Sequence, residues 1–206
     1  MHTLYERYVK PFGVSALLLA IALIALLFFT KTPEQAVPIA APVLQQLTPY
    51  HGATSTITFQ YPVAYHLEEI DESTPERKRY AVTLMEDTAE NEAVRGGTSI
   101  PREGPITITI TSYQNNLDKT PLLAWVTGTL DSNWKLGDGT YASTTVGGIP
   151  ALSYDWDGLY RGHTIAVATD GYIHAFTVTS MERTDHILTV FDELMETVTF
   201  GVPELE

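Results

Sequence analysis

The pattern of apolar and polar positions divides the chain into three parts. An uncharged apolar run from Phe12 to Thr30 is followed by a proline-containing segment, and a longer body begins near residue 56. In the body, apolar and polar residues alternate at 56–61, 80–85 and 106–111. A period of two residues predicts β-strands, in which every second side chain faces the same side of a sheet.

The segment 163–180 is predicted to form a β-hairpin. Asp170-Gly171 is a favoured two-residue turn, in which we expect both residues to have positive φ. Counting outward from this turn pairs Thr169 with Tyr172 and His163 with Val178. One face of the hairpin then carries large apolar residues and His174, and the other face carries mainly alanines. Because neither face is polar, we expect the sheet to be covered on both sides.

Two helices are predicted within the body. The first would begin with Thr120 as N-cap and Pro121 at the first helical position, and continue to about Trp134. The second lies within 184–198, where the apolar residues form one stripe: Ile187, Leu188, Phe191, Leu194, Met195 and Val198. Its opposite face is polar and acidic, which favours packing on a sheet over lying on a membrane.

The apolar run at 12–30 has the length of a membrane span. As a helix it would rise about 28 Å, which matches a bilayer hydrocarbon core of roughly 30 Å. The run is longer than the apolar region of a secretory signal peptide, and the nearest pair of small residues, Ala40-Ala41, is followed by Pro42. We therefore expect an uncleaved transmembrane signal-anchor helix; a cleaved signal peptide is the alternative.

The charges that flank this run predict its orientation. Arg7 and Lys10 precede it, whereas Lys31 alone follows it directly. This bias predicts a cytoplasmic tail at 1–11 and a single-pass protein of the cell membrane whose body is extracytoplasmic. The prolines at 31–55 predict an extended linker, and residues 201–206 are predicted to be a C-terminal tail.

Composition excludes some classes of function. The chain has 25 Asp and Glu against 12 Lys and Arg, so its formal net charge is −13. An acidic protein is a poor partner for nucleic acid, because it cannot replace the counterions of the phosphates. The chain contains no cysteine, which removes disulfides, cysteine-ligated zinc and thiol nucleophiles.

Candidate chemistry is sparse. Asp155 and Asp157 are predicted to share one side of a strand end, with Trp156 on the other, and paired carboxylates can bind Ca²⁺ or act as acid and base. The spacing that follows does not match an EF-hand. His163 and His174 share a face but lie about 13 Å apart along the strands, so they cannot hold one metal ion. We predict no cofactor.

Several short motifs resemble those of the PsbP-like domain. They are Phe59, Tyr61 and Pro62 at the start of the body, Gly148, Pro150 and Ala151 in a turn, the Asp-Gly hairpin, and a last helix that leads into a short strand near 198–200. The resemblance covers 56–200. It implies an α+β fold, an α/β/α sandwich around a central antiparallel sheet. Members of this family are mostly assembly or binding subunits without catalytic activity.

These observations predict a membrane-anchored, extracytoplasmic binding or assembly module without catalytic activity, whose partner is a protein or a component of the envelope. The alternative is an envelope enzyme or a Ca²⁺-dependent module that uses Asp155 and Asp157. The acidic segment 86–105 is predicted to be an exposed loop. It and the turn at 156–161 provide the predicted partner surface: Glu90, Glu92, Arg95, Trp156, Tyr160 and Arg161.

Overall fold

A computed structural model describes residues 46–52, 57–97, 104–115 and 119–201, all within one compact unit, Gln45–Glu206. The predicted cytoplasmic tail and membrane span, at 1–11 and 12–30, lie outside the described residues, and so does most of the predicted linker. Within the part of the chain that is described, none of the helices has the length and apolarity needed to cross a membrane.

Seven antiparallel strands form the larger sheet. In spatial order they are β3 (Tyr65–Asp71), β4 (Arg79–Glu86), β5 (Ile108–Gln114), β9 (Tyr172–Ser180), β8 (Arg161–Thr169), β7 (Ile149–Asp157) and β6 (Ala142–Val146). The smaller sheet contains β1 (Leu47–His51), β2 (Ile57–Pro62) and β10 (Thr199–Phe200), with β2 in the centre.

Three α-helices and one 3-10 turn complete the described residues. They are α1 (Ala89–Arg95), α2 (Leu122–Gly128), the 3-10 turn Trp134–Leu136, and α3 (His186–Thr197). Helix α3 buries Ile187, Val190, Phe191 and Leu194, which agrees with the predicted stripe apart from Val190.

The two faces of the larger sheet are covered differently. On one face the main core joins the sheet to the small sheet and α3; Phe59, Phe176 and Phe191 are among its members. On the other face Val126 of α2 packs with Ala166 and Tyr154. The α+β class and the antiparallel sheet are confirmed. The α/β/α sandwich is correct only in part, since one outer layer combines a helix with a second sheet.

The register of the β8–β9 hairpin is as predicted. Thr169 pairs with Tyr172, and His163 pairs with Val178. The turn itself differs from the prediction, because only Gly171 has a positive φ, of 86°. Ala166 and Ala175 are buried on the face that α2 covers. A small side chain at Ala166 lets the helix approach the sheet closely.

Three predicted segments differ from the structure. Residues 47–51 belong to β1 and not to the linker, and Pro49 is tolerated because β1 is an edge strand. The segment 86–105 contains α1, capped by the Thr88 side chain, which accepts a hydrogen bond from the Asn91 backbone N–H. Helix α2 begins after Pro121, because Thr120 is held by Asn115, and it ends at Gly128 rather than near Trp134.

Candidate functional site

A cavity of about 540 Å³ lies where the β7–β8 hairpin meets α3. Apolar residues from β9 and α3 line it, namely Val178, Leu188 and Phe191. His163 and six charged residues also line it: Asp138, Asp155, Asp157, Arg161, Arg183 and Asp192. We call this the hairpin cavity. An apolar lining with a few polar groups is the usual composition of a binding site.

The two candidate carboxylates, Asp155 and Asp157, lie on the same side of β7, and both line the hairpin cavity. The strand register places Asp155 directly opposite His163, and Asp157 directly opposite Arg161. Each carboxylate therefore has a basic neighbour across the hairpin. Among the described residues, no group of three or more His, Asp or Glu side chains could hold a metal ion.

Asp155 orients the His163 ring. The Asp155 Oδ1 to His163 Nδ1 distance is 2.6 Å, and the Ser153 Oγ to His163 Nε2 distance is 3.3 Å. A proton on Nδ1 that points to the carboxylate leaves Nε2 free to accept from the serine hydroxyl. Ser153 and Asp155 lie two residues apart on one strand, so they share a face. The three side chains form a Ser153–His163–Asp155 chain of hydrogen bonds.

The environment of these groups is partly open to solvent. The Asp155 side chain is 86% exposed and the His163 side chain is 32% exposed. Phe191 of α3 contacts the His163 ring edge-on, at 6.0 Å between ring centroids. Ser153 is not among the described residues that line the cavity, although its partner His163 is.

Trp156 has a structural role in the hairpin. Its indole N–H donates to Thr164 Oγ1 at 2.9 Å. Its ring lies against Gly162, the residue directly opposite on β8, so closely that a Cβ at Gly162 would overlap it. The ring is therefore only partly available to a partner.

The predicted partner surface falls into two groups. Trp156 and Arg161 line the hairpin cavity. Glu90 and Tyr160 line a separate cavity of about 620 Å³ with Met181, and the Tyr160 hydroxyl donates to the Gly104 carbonyl.

Arg95 is less available than predicted. Its Nη2 is 2.7 Å from Asp87 Oδ1, and its side chain is only 19% exposed. Glu92 lies on the same short helix, α1. The use of these residues by a partner remains a prediction.

His174 occupies a different environment from His163. It is fully buried, its Nδ1 is 2.9 Å from Ser112 Oγ, and its Nε2 is 2.8 Å from Thr169 Oγ1. Burial lowers the pKa of His174 to about 3, so the ring is neutral. It stacks on Phe200 of β10, which marks it as a core residue.

Sequence reasoning missed the pairing of His163 with Asp155. The Asp170-Gly171 turn fixes the β8–β9 register. Asp157-Gly158 does not fix the β7–β8 register in the same way, because Asp157 belongs to β7 and the turn is the irregular segment Gly158–Tyr160. The sequence signal for this pairing is an Asp-x-Asp before a turn, followed by a histidine soon after the turn.

Comparison with solved structures finds several similar chains. The fold is similar to the solution structure of the cyanobacterial PsbP protein (CyanoP) of Synechocystis sp. PCC 6803, with a TM-score of 0.49 and 11% sequence identity. The match covers 80% of this chain and 99% of that chain. The sequence motifs resemble those of the PsbP-like domain as well. No family model matches the chain, and no curated protein matches it.

Proposed function

We propose that this chain is a membrane-anchored binding or assembly module without catalytic activity of its own. The hairpin cavity is the observation that carries the proposal: an open site with Val178 and Phe191 at its apolar part and charges of both signs around them. Such a site suits a protein segment or an envelope component that offers apolar and charged groups together.

The location of the module is proposed from the sequence. The apolar run at 12–30 is the anchor, and Arg7 and Lys10 place the N-terminus in the cytoplasm. The described unit would then lie outside the membrane on an extended linker. We expect a reporter that works only outside the cytoplasm to be active when it is fused after Glu206. Activity of a reporter that works only in the cytoplasm would refute the orientation.

The test of binding is capture of the full-length protein from solubilised membranes. Arg161 and Arg183 line the hairpin cavity, and Arg161→Glu together with Arg183→Glu reverses the charge there. We expect a partner that is captured by the native chain to be lost with this double variant. Lys78→Glu is the control, because Lys78 does not line the cavity among the described residues. A partner retained by the double variant would argue against this site.

A second candidate is an envelope hydrolase, the class of enzyme that the sequence offered as an alternative. It is favoured by one observation: the Asp155 carboxylate orients the His163 ring towards Ser153. In that reaction Ser153 Oγ attacks a carbonyl carbon and gives its proton to His163, which passes it to the leaving group. Water then releases the acyl group from Ser153. This candidate ranks second, because Asp155 is strongly exposed, and solvent weakens its electrostatic hold on the ring.

A fluorophosphonate probe separates the two candidates. If Ser153 is a nucleophile, the native chain gains the mass of one probe, and the Ser153→Ala and His163→Ala variants do not. Ser143→Ala, on the exposed strand β6, is the matched control and should label like the native chain. An unlabelled native chain would exclude the hydrolase and leave the binding module.

A further inference from the structure

A second, smaller cavity lies between the small sheet and the β3–β4 part of the large sheet. Its volume is about 260 Å³, and it shares no lining residue with the hairpin cavity. Three aromatic residues line it, Tyr50 from β1, Phe59 from β2 and Tyr80 from β4, together with Glu69 and Asp71 from β3. We call this the aromatic cleft.

The aromatic part of the cleft is held in place by packing. The Tyr50 and Phe59 rings lie 4.6 Å apart between centroids, because the two residues pair directly across β1 and β2. Both rings are largely buried. The remaining apolar lining includes Ile57, Val82 and Ile110, which belong to the main core. A ligand would therefore meet rigid walls.

The charge in the cleft is of one sign. Glu69 and Asp71 are two residues apart on β3 and face the same side. Burial, and to a smaller extent the charge of nearby Glu69, raise the pKa of the Tyr50 hydroxyl, so it stays neutral. Hydrogen bonds from Ser73 are the main cause that lowers the pKa of Asp71, and nearby Lys78 contributes less.

No basic side chain compensates these carboxylates inside the cleft. Among the described residues, its lining contains no Lys, Arg or His. His174 forms a hydrogen bond with the lining residue Ser112, and its ring is neutral. The cleft is therefore electronegative in two ways, through its carboxylates and through the π faces of its aromatic rings.

We propose that the aromatic cleft binds a small organic ammonium ion, of the alkylammonium or choline type. Aromatic rings attract such a cation, and the attraction increases where water is excluded. The apolar lining suits the methyl or methylene groups around the nitrogen, and the carboxylates balance its charge. The volume lies just below the usual range for drug-sized ligands, which fits a head group of few atoms.

The cleft selects against an ammonium ion that carries a phosphate beside it. Glu69 and Asp71 would repel the negative charge of the phosphate group. Free choline is therefore the expected form of the ligand, in preference to the phosphocholine group of a lipid. The proposal concerns a site separate from the hairpin cavity, so its failure leaves the proposed partner-binding site untouched.

The test is a calorimetric titration of the full chain, kept in a neutral detergent, with choline chloride. We expect saturable binding by choline, weaker binding by phosphocholine, and no binding by 3,3-dimethyl-1-butanol, which has the same shape without the charge. Equal binding of choline and its neutral analogue, or no binding of choline, would overturn the proposal. Tighter binding of phosphocholine would overturn the preference for the free compound.

Substitutions locate the site. Glu69→Gln keeps the shape of the side chain and removes one charge. Because Glu69 is exposed at the rim of the cleft, we expect choline binding to weaken about threefold, the loss of one solvated charge contact. Glu68→Gln, one residue earlier on β3 and absent from the cleft lining, is the control and should bind like the native chain. Equal effects of the two substitutions would mean that general charge attracts choline, and would refute the site.

Discussion

The Gly162–Trp156 contact shows how one missing side chain permits a local structure. Gly162 lies directly opposite Trp156, and the indole ring occupies the space that a Cβ would need. This close approach lets the Trp156 N–H reach Thr164. The same hairpin end supplies Asp155 and His163, so the position of Trp156 also bears on the site.

Gly162→Ala is predicted to displace Trp156 and destabilise the fold by about 1–3 kcal/mol, the usual cost of overpacking. Gly158→Ala is the matched control, because its Cβ would lie 3.5 Å from the same ring, an ordinary contact. Urea unfolding gives the free energies, and the tryptophan emission of Gly162→Ala should move to longer wavelength. Equal stability of the two variants would show that the ring moves aside without cost.

His174 makes the stability depend on pH. The unfolded chain binds a proton at this residue below about its ordinary pKa of 6.5, whereas in the folded chain burial lowers the pKa to about 3. Protons therefore favour the unfolded state between these values, and stability falls as the pH decreases from 6.5 towards 3. The free energy of unfolding should fall by up to about 1.4 kcal/mol per pH unit in this window.

The measurement for His174 is urea unfolding between about pH 7 and 5, a range above most carboxyl titrations. We expect His174→Gln to lower stability at neutral pH, because the Ser112 and Thr169 hydroxyls lose partners, and also to flatten the pH slope. His66→Gln, on the edge strand β3, should keep the native slope. A native slope in the His174 variant would assign the pH dependence to other groups.

The elements differ in how far the sequence predicts them. The β8–β9 register follows from one Asp-Gly turn, and α3 follows from its apolar stripe, because both signals are local. Strand β1 is not predicted from the sequence, because Pro49 is typical of a linker and because β1 forms only through its pairing with β2. For the same reason, the hydrogen bonds that join Ser153, His163 and Asp155 could not be predicted without the β7–β8 register.

The assignment of residues 47–51 to β1 predicts a sharp boundary of the folded unit. A chain that begins at Gln45 should unfold cooperatively in urea. A chain that begins at Thr56 lacks Tyr50, which is 9% exposed and packs on Phe59. We expect it to be less stable by at least about 2–3 kcal/mol, the cost of losing one large buried side chain. Equal stability of the two chains would mean that β1 does not contribute to the folded unit and that the linker extends to residue 55.

At the scale of the whole molecule, charge is the dominant feature. The formal net charge is −13. Ion pairs among the described residues, such as Arg79 with Glu72 and Arg95 with Asp87, are partly exposed. Exposed pairs of this kind contribute little to stability. Because Asp and Glu outnumber Lys and Arg by 25 to 12, mutual repulsion among the carboxylates outweighs attraction and opposes the compact state.

Salt should then stabilise the fold. Raising potassium chloride from about 0.01 M to 0.3 M shortens the screening length several-fold, and we expect the Tm of the chain beginning at Gln45 to rise by roughly 2–4 °C, equivalent to about 1 kcal/mol. Glu182→Lys with Glu193→Lys, both at exposed positions, reduces the excess charge. This double variant should have a higher Tm at low salt and a smaller response to added salt, because less repulsion remains to be screened. A Tm that falls with salt would mean that the exposed ion pairs stabilise the molecule more than its net charge destabilises it.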